Sequence, residues 1–211
     1  MSEDSKRVSA GRCVVIVISF MISSLWLSNA ISGDKGCNES PQTVFKAAQS
    51  AGDKRDFSTL SKLVAPAERP MLAFSTDMAV GMFLEFYEGK KAPALKKKYE
   101  EVQNKYGIKS KDKDEGEKLH VTKDTPQKVI DAHIRKRAKK LYGQVDVVKY
   151  VPDLMEIVIN MPEMAEQSFF PQGKLTDLKI DGDRATGKAG EKTLSFIRED
   201  GRWYLTADAM D

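Results

Sequence analysis

Residues 13–33 run for 21 positions without a charge, between Lys6, Arg7 and Arg12 on one side and Asp34 and Lys35 on the other. No water-facing surface calls for such a run, so it marks a segment meant for a bilayer or a translocation channel. Its most apolar part, Cys13 to Leu27, is 15 residues long. That is the upper limit for a signal-peptide core and short of the ~20 residues that span a bilayer. Ser28-Asn29-Ala30 offers small residues where signal peptidase needs them, which places cleavage after Ala30. Ala30-Ile31-Ser32 is a poorer second frame. Adding the uncharged Ser28 to Gly33 to the run gives an uncleaved anchor instead. Residues 1–32 are therefore a signal peptide or a transmembrane anchor, and 33–39 a linker. In both readings the basic N-terminus stays cytoplasmic and the remainder is exported, to a periplasmic or extracellular site, tethered if the segment is kept.

The cysteines add little. Cys13 lies inside the uncharged run, which leaves Cys37 alone in the exported part. No intramolecular disulfide can form there, and the fold must hold by its core. Gly36-Cys37 resembles a bacterial lipidation site only in that dipeptide. The positions three and two before the cysteine, which want an aliphatic and a small residue, hold Asp34 and Lys35. A free linker thiol is the simpler reading.

Residues 40–211 read as a single α+β domain, helices first and strands last. Ser40-Pro41-Gln42 starts a helix, with serine as cap and proline at the first helical position, where no N–H is needed. Val44, Phe45, Ala48 and Ala51 keep its period, and Gly52-Asp53 stops it. A second short helix follows Asp56, with Phe57, Leu60, Leu63 and Val64 on one face, so the two form a hairpin. From Ala67 to Tyr87 apolar residues fall on all sides, which predicts a buried helix. Asp77 and Glu85 make it a poor bilayer span. Leu95, Tyr99, Val102 and Tyr106 form the stripe of an amphipathic helix that Gly107 ends.

Residues 108–124 are expected as a charged loop. A helix from Pro126 to Leu141 then carries Arg135, Lys136, Arg137, Lys139 and Lys140 within six positions. This basic patch could face the headgroups of the membrane that the N-terminal segment enters. The plainer alternative is a solvated helix face with cations at its C-terminal end. Pro152-Asp153 is expected to start a further helix carrying Leu154, Met155, Val158 and Met161. Beyond Gly173 the period switches to two, with turns at Asp181-Gly182-Asp183, Ala189-Gly190-Glu191 and Glu199-Asp200-Gly201. About four antiparallel strands follow: 174–180, 184–188, 192–198 and 203–207. Leu178, Ile180, Leu194, Phe196, Trp203 and Leu205 are the expected inward positions.

Two blocks resemble the NTF2-like (SnoaL-like) superfamily, particularly its small exported members. Ser40-Pro-Gln-Thr-Val-Phe-Lys-Ala-Ala with Asp56-Phe-Ser-Thr-Leu-Ser-Lys-Leu-Val-Ala-Pro is similar to its opening helices. Leu178-Lys-Ile-Asp-Gly-Asp-Arg-Ala-Thr with Gly201-Arg-Trp-Tyr-Leu is similar to its closing strands. The resemblance implies an NTF2-like cone, here with an enlarged helical middle. It also implies that catalysis, where present, uses His and Asp inside the cavity. The histidines here, His120 and His133, lie outside the matching blocks, so no catalytic residue carries over.

Function classes narrow by exclusion. With 34 Lys plus Arg against 31 Asp plus Glu, a net charge of +3 argues against a nucleic-acid partner, and no aromatic residue is interleaved with the basic patch to stack on bases. Two separated histidines and one exported cysteine do not assemble a metal site, and phosphate-binding glycine motifs and nucleophile elbows are absent, so no cofactor is expected. The leading expectation is a non-catalytic exported or membrane-anchored domain that binds a protein or cell-envelope partner. One alternative is an apolar small-molecule or lipid binder, with Met78, Met82, Phe83 and Phe86 lining the cone. Another is an NTF2-like enzyme using Asp77 or Glu85 as a buried base.

Overall fold

A computed structural model describes residues 38–89, 91–108, 125–159, 161, 164 and 168–206. The signal or anchor segment with Ala30, the cysteines, His120 and most of the charged loop lie outside the described residues. Among those residues no helix is long and apolar enough to cross a membrane.

Among the described residues six α-helices precede four strands: α1 Pro41–Asp53, α2 Phe57–Lys62, α3 Arg69–Phe86, α4 Ala92–Lys105, α5 Gln127–Tyr142 and α6 Val147–Val158, then β1 Leu175–Asp181, β2 Arg184–Ala189, β3 Lys192–Glu199 and β4 Arg202–Leu205. The fold is α+β, with the helices packed on an antiparallel sheet of order β1-β2-β3-β4. The start of α1 is set locally. Ser40 Oγ accepts the Thr43 N–H at 3.2 Å while Thr43 Oγ1 accepts the Ser40 N–H at 3.0 Å, a reciprocal cap with Pro41 behind it. Asp56 caps α2 in the same manner, accepting the Thr59 N–H at 2.9 Å. One hydrophobic core runs from Val44 on α1 to Leu205 on β4.

The sheet is tied to the helical hairpin along its β4 edge. Val64 forms a parallel bridge to Leu205, and the Ala65 N–H donates to Leu205 O at 3.3 Å. Asn38 closes the other end of that edge. Its carbonyl accepts the Trp203 N–H at 2.9 Å and its Nδ2 donates to Trp203 O at 2.8 Å. The outermost strand is thus covered on its free side by Asn38, which leads into α1, and by Val64 and Ala65, which follow α2.

Three expectations are corrected. The helix expected from Pro152 begins at Val147, with Pro152 inside it. Val147, Tyr150, Val151, Leu154, Met155 and Val158 form a continuous buried face, and burying it outweighs the hydrogen bond that proline removes. Nor is α3 buried all round. Met78 is 49% and Phe86 59% exposed, because neighbouring helices cover only part of its circumference. Finally, strict alternation fails in β1. Thr176 pairs with Lys188 and Lys179 with Thr186, so β1 advances three residues while β2 advances two. Asp177, at φ 51°, accommodates the extra residue in this bulge. Ile180, opposite the buried Ala185 and so on the same face, is nevertheless 56% exposed, because β1 is the edge strand and the helices pack on the opposite edge, while Ala185, Leu194, Phe196, Trp203 and Leu205 are buried as the sheet's inner positions.

Candidate functional site

Four helices meet at one carboxylate. Asp77 stands on the same side of α3 as Ala73 and Leu84, one and two turns away, and is 1% exposed. A carboxylate in that position must find donors, since burying it bare would cost more than the fold can supply. Tyr99 and Gln103 lie four apart on α4 and so share a face. Tyr99 Oη donates to Asp77 Oδ1 at 2.7 Å and Gln103 Nε2 donates to the same oxygen at 2.9 Å. Tyr150, in the first turn of α6, donates to Oδ1 at 3.0 Å, and Tyr142, the last residue of α5, donates to Oδ2. Tyr99 also reaches the Asp77 backbone carbonyl at 3.2 Å.

The surroundings make this arrangement stiff. A Cβ on Gly81 would stand 2.8 Å from Tyr99 Oη, so the glycine inside α3 is what lets that phenol approach. The Tyr142 and Tyr150 rings lie 5.8 Å apart, Tyr106 meets Tyr150 edge-on at 5.0 Å, and Phe74 meets Tyr142 at 6.2 Å. Burial, and after it the charge of Asp77, pushes the Tyr99, Tyr142 and Tyr150 phenols well above the ordinary tyrosine range. They are therefore neutral donors at physiological pH. Such a donor set suits an ionised carboxylate, which offers only acceptors. Chemically, the arrangement holds α3, α4, α5 and α6 together through one residue.

The residues singled out in the sequence take separate places. Phe83 is buried in the core, Met82 is half-buried, and Met78 and Phe86 face solvent, so the four do not converge on one interior cavity. Glu85 is a surface residue with 76% of its side chain exposed, 3.9 Å from Lys96. It is not a buried base. On α5 the five cations span an arc of about 200°, because consecutive residues turn by ~100°, with Lys136, Lys139 and Lys140 together in its exposed part and Arg135 and Arg137 at its two margins. Arg135 Nη1 donates to both carboxylate oxygens of Glu68, at 2.8 and 2.6 Å, which fastens α5 to the start of α3. Arg137 is half-buried, and Lys136, Lys139 and Lys140 are exposed. His133 is half-buried on the same helix. Among the described residues no three His, Cys, Asp or Glu side chains are grouped as a metal site requires.

Sequence reasoning singled out Asp77 but missed its partners. The signal that could have found them is the placing of Tyr99, Tyr142 and Tyr150 on or beside apolar stripes of separate helices. A buried tyrosine needs an acceptor, and Asp77 is the acid at the middle of that apolar helix, with Glu85 at its end. Comparison of the chain with models of known families, with curated proteins and with solved structures gives no match.

Proposed function

We propose that this chain is an exported, non-catalytic domain that acts by binding a protein or cell-envelope partner. Residues 13–33 carry it to the membrane, as a cleaved signal or a retained anchor. The observation that carries the reading is the engagement of Asp77. The buried carboxylate that an NTF2-like enzyme would use as its base accepts hydrogen bonds from four side chains of its own fold. A general base needs a lone pair directed at substrate, and these oxygens are directed at tyrosines and a glutamine. What the domain offers outward is apolar surface on α3, where Met78 and Phe86 stand open beside charged neighbours. Large exposed apolar side chains of that kind favour protein contact. The NTF2-like resemblance is supported by the order of elements, helical hairpin first and antiparallel meander last.

The test has two arms. Cells making the full chain are fractionated and the N-terminus is sequenced from each fraction. Export requires either an intact chain in the membrane or a chain starting near residue 31 outside the cytosol. An intact, freely soluble cytosolic chain overturns the export reading. In the second arm a photo-crosslinking residue replaces Met78 or Phe86. A discrete crosslinked envelope component at these positions and not at Lys97 is expected. Turnover of a hydrolase or isomerase substrate that is abolished by Asp77→Asn in a still-folded protein would overturn the non-catalytic reading.

A further inference from the structure

On the side of the sheet away from β4, β1 presents an edge with no strand beside it among the described residues. Which of its backbone groups face outward follows from the register. The Arg198 N–H donates to Asp183 O at 2.8 Å, so the bonded pairs between β2 and β3 fall on Asp183 and, two residues on, Ala185. Arg184 therefore turns its backbone groups toward Asp181 of β1, and Ala185 turns its own away from β1. Ile180, opposite Ala185, is left with its N–H and C=O directed at the open side. Its side chain is open as well, at 56% exposure. A large apolar side chain on an unpaired edge is a place where another strand can add.

The charges beside Ile180 decide which strand. Lys179 and Asp181 flank it, stand opposite Thr186 and Arg184, and are exposed. Among the described residues neither has an ion-pair partner, whereas Asp177 in the bulge lies 3.5 Å from Lys188. Opposite charges placed on either side of one residue are self-complementary. In an antiparallel pair centred on Ile180, residue 179 of one copy meets 181 of the other, so Lys179 faces Asp181 twice. A hydrogen-bonded pair at the centre uses the N–H and C=O that Ile180 directs outward, and sets the two Ile180 side chains on one face. Beyond residues 178 and 182 the pairing ends, where the bulge of one strand reaches the β1–β2 turn of the other. We propose that β1 joins β1 of a second copy, antiparallel and centred on Ile180, making one continuous sheet across a two-fold axis. So short a contact is small against the roughly 1,000 Å² of a stable interface, and the dimer therefore dissociates on dilution. It leaves the α3 surface open and does not depend on what partner α3 meets. The two copies extend from the shared edge in opposite directions, which suits the form released by cleavage after Ala30. The proposal takes that form from the export reading, whose own failure is read in the fractionation above and not in the experiment that follows.

That experiment uses the full chain in detergent micelles, which impose no direction on either copy, with Cys13 and Cys37 replaced by serine and one cysteine introduced on the sheet. At Ile180→Cys the paired Cα atoms would stand about 5.5 Å apart, within the range of roughly 4.4–6.8 Å that a disulfide spans. Mild oxidation should link this chain into a dimer several times faster than Thr186→Cys, which is exposed on the neighbouring strand. Lys179→Asp in the Ile180→Cys chain sets Asp against Asp in both pairs and should slow the linking about five- to tenfold. Lys179→Asp together with Asp181→Lys reverses both charges, restores both pairs and should restore the rate. Circular dichroism of each variant verifies the fold. Equal linking at positions 180 and 186 overturns the proposal. So does a rate that Lys179→Asp leaves unchanged, or one that the double reversal fails to recover in a folded protein.

Discussion

At the scale of single residues, Asp77 accepts hydrogen bonds from four side chains on three other helices, and its replacement is the sharpest probe. Asp77→Asn keeps the size but puts an NH₂ where a carboxylate oxygen met a tyrosine hydroxyl. The expected cost is about 2–4 kcal/mol, because a buried charged acceptor is lost and donors are left facing a donor. Tyr150→Phe removes one donor of four and should cost about 1–2 kcal/mol. Urea unfolding at neutral pH, with the slope checked for constancy, measures both. Changes under about 0.5 kcal/mol in the two variants, the range of ordinary surface substitutions, would show that Asp77 does not pin the helices. The raised phenols also set a pH dependence. Between the unfolded tyrosine value, near 10, and the higher folded values, the native state holds protons that the unfolded state has released. Stability is thus complete below pH ~10 and falls above it, by up to about 1.4 kcal/mol per pH unit for each of the three tyrosines. Tyrosinate absorbance followed against pH should rise together with loss of helical circular dichroism. Tyr99, Tyr142 and Tyr150 ionising in a still-folded protein would contradict this. Asp77 itself was legible as an acid within an apolar helix. Its partners come from three other helices, and nothing local in the chain encodes which tyrosines converge.

Elements were legible where their signals are local. Ser40-Pro41 marks a helix start because cap and ring act within one turn, and the glycine-bearing turns mark the hairpins for the same reason. The failures all involve a distant neighbour. Pro152 sits inside α6 because the helix face it interrupts is buried against α3 and α2. The β1 bulge at Asp177 shifts a register that alternation alone would have kept. The same kind of long-range packing makes Gly52 a test at this scale. It ends the buried face of α1, with its Cα side pressed on Phe170. Gly52→Ala normally favours a helix by about 0.5–1 kcal/mol, through propensity. Here the added methyl would stand 2.7 Å from Phe170 Cβ, an atom with no rotamer to swing away. Overpacking of about 1–3 kcal/mol should win, so the variant should melt lower despite its better propensity. A higher melting temperature would mean that the α1–Phe170 contact yields easily.

For the whole molecule, the hydrogen bonds of Asn38 convert the N-terminal reading into an orientation. Only five chain steps separate residue 33, the end of the uncharged run, from Asn38, a reach of at most about 18 Å. Asn38 is bonded to Trp203, whose partner on β3 is Arg198, next to the β3–β4 turn. If residues 13–33 are retained in the bilayer, that end of the sheet is held near the membrane surface. The β2–β3 turn lies at the other end of β3, a strand of eight residues and hence about 25 Å long. Spin labels attached through Arg202→Cys and, separately, Glu191→Cys, in a chain with Cys13 and Cys37 replaced by serine, would report this in vesicles containing headgroup-labelled lipid. The label at 202 should show the stronger broadening. Equal broadening at both ends, with the protein still floating with the vesicles, would mean that the sheet lies along the surface and Asn38 does not set the orientation. Protein that leaves the vesicles altogether would instead refute retention of the segment, leaving the cleaved form. The two outcomes separate the geometry of the tether from its existence, because Asn38 keeps its bonds to Trp203 in either case.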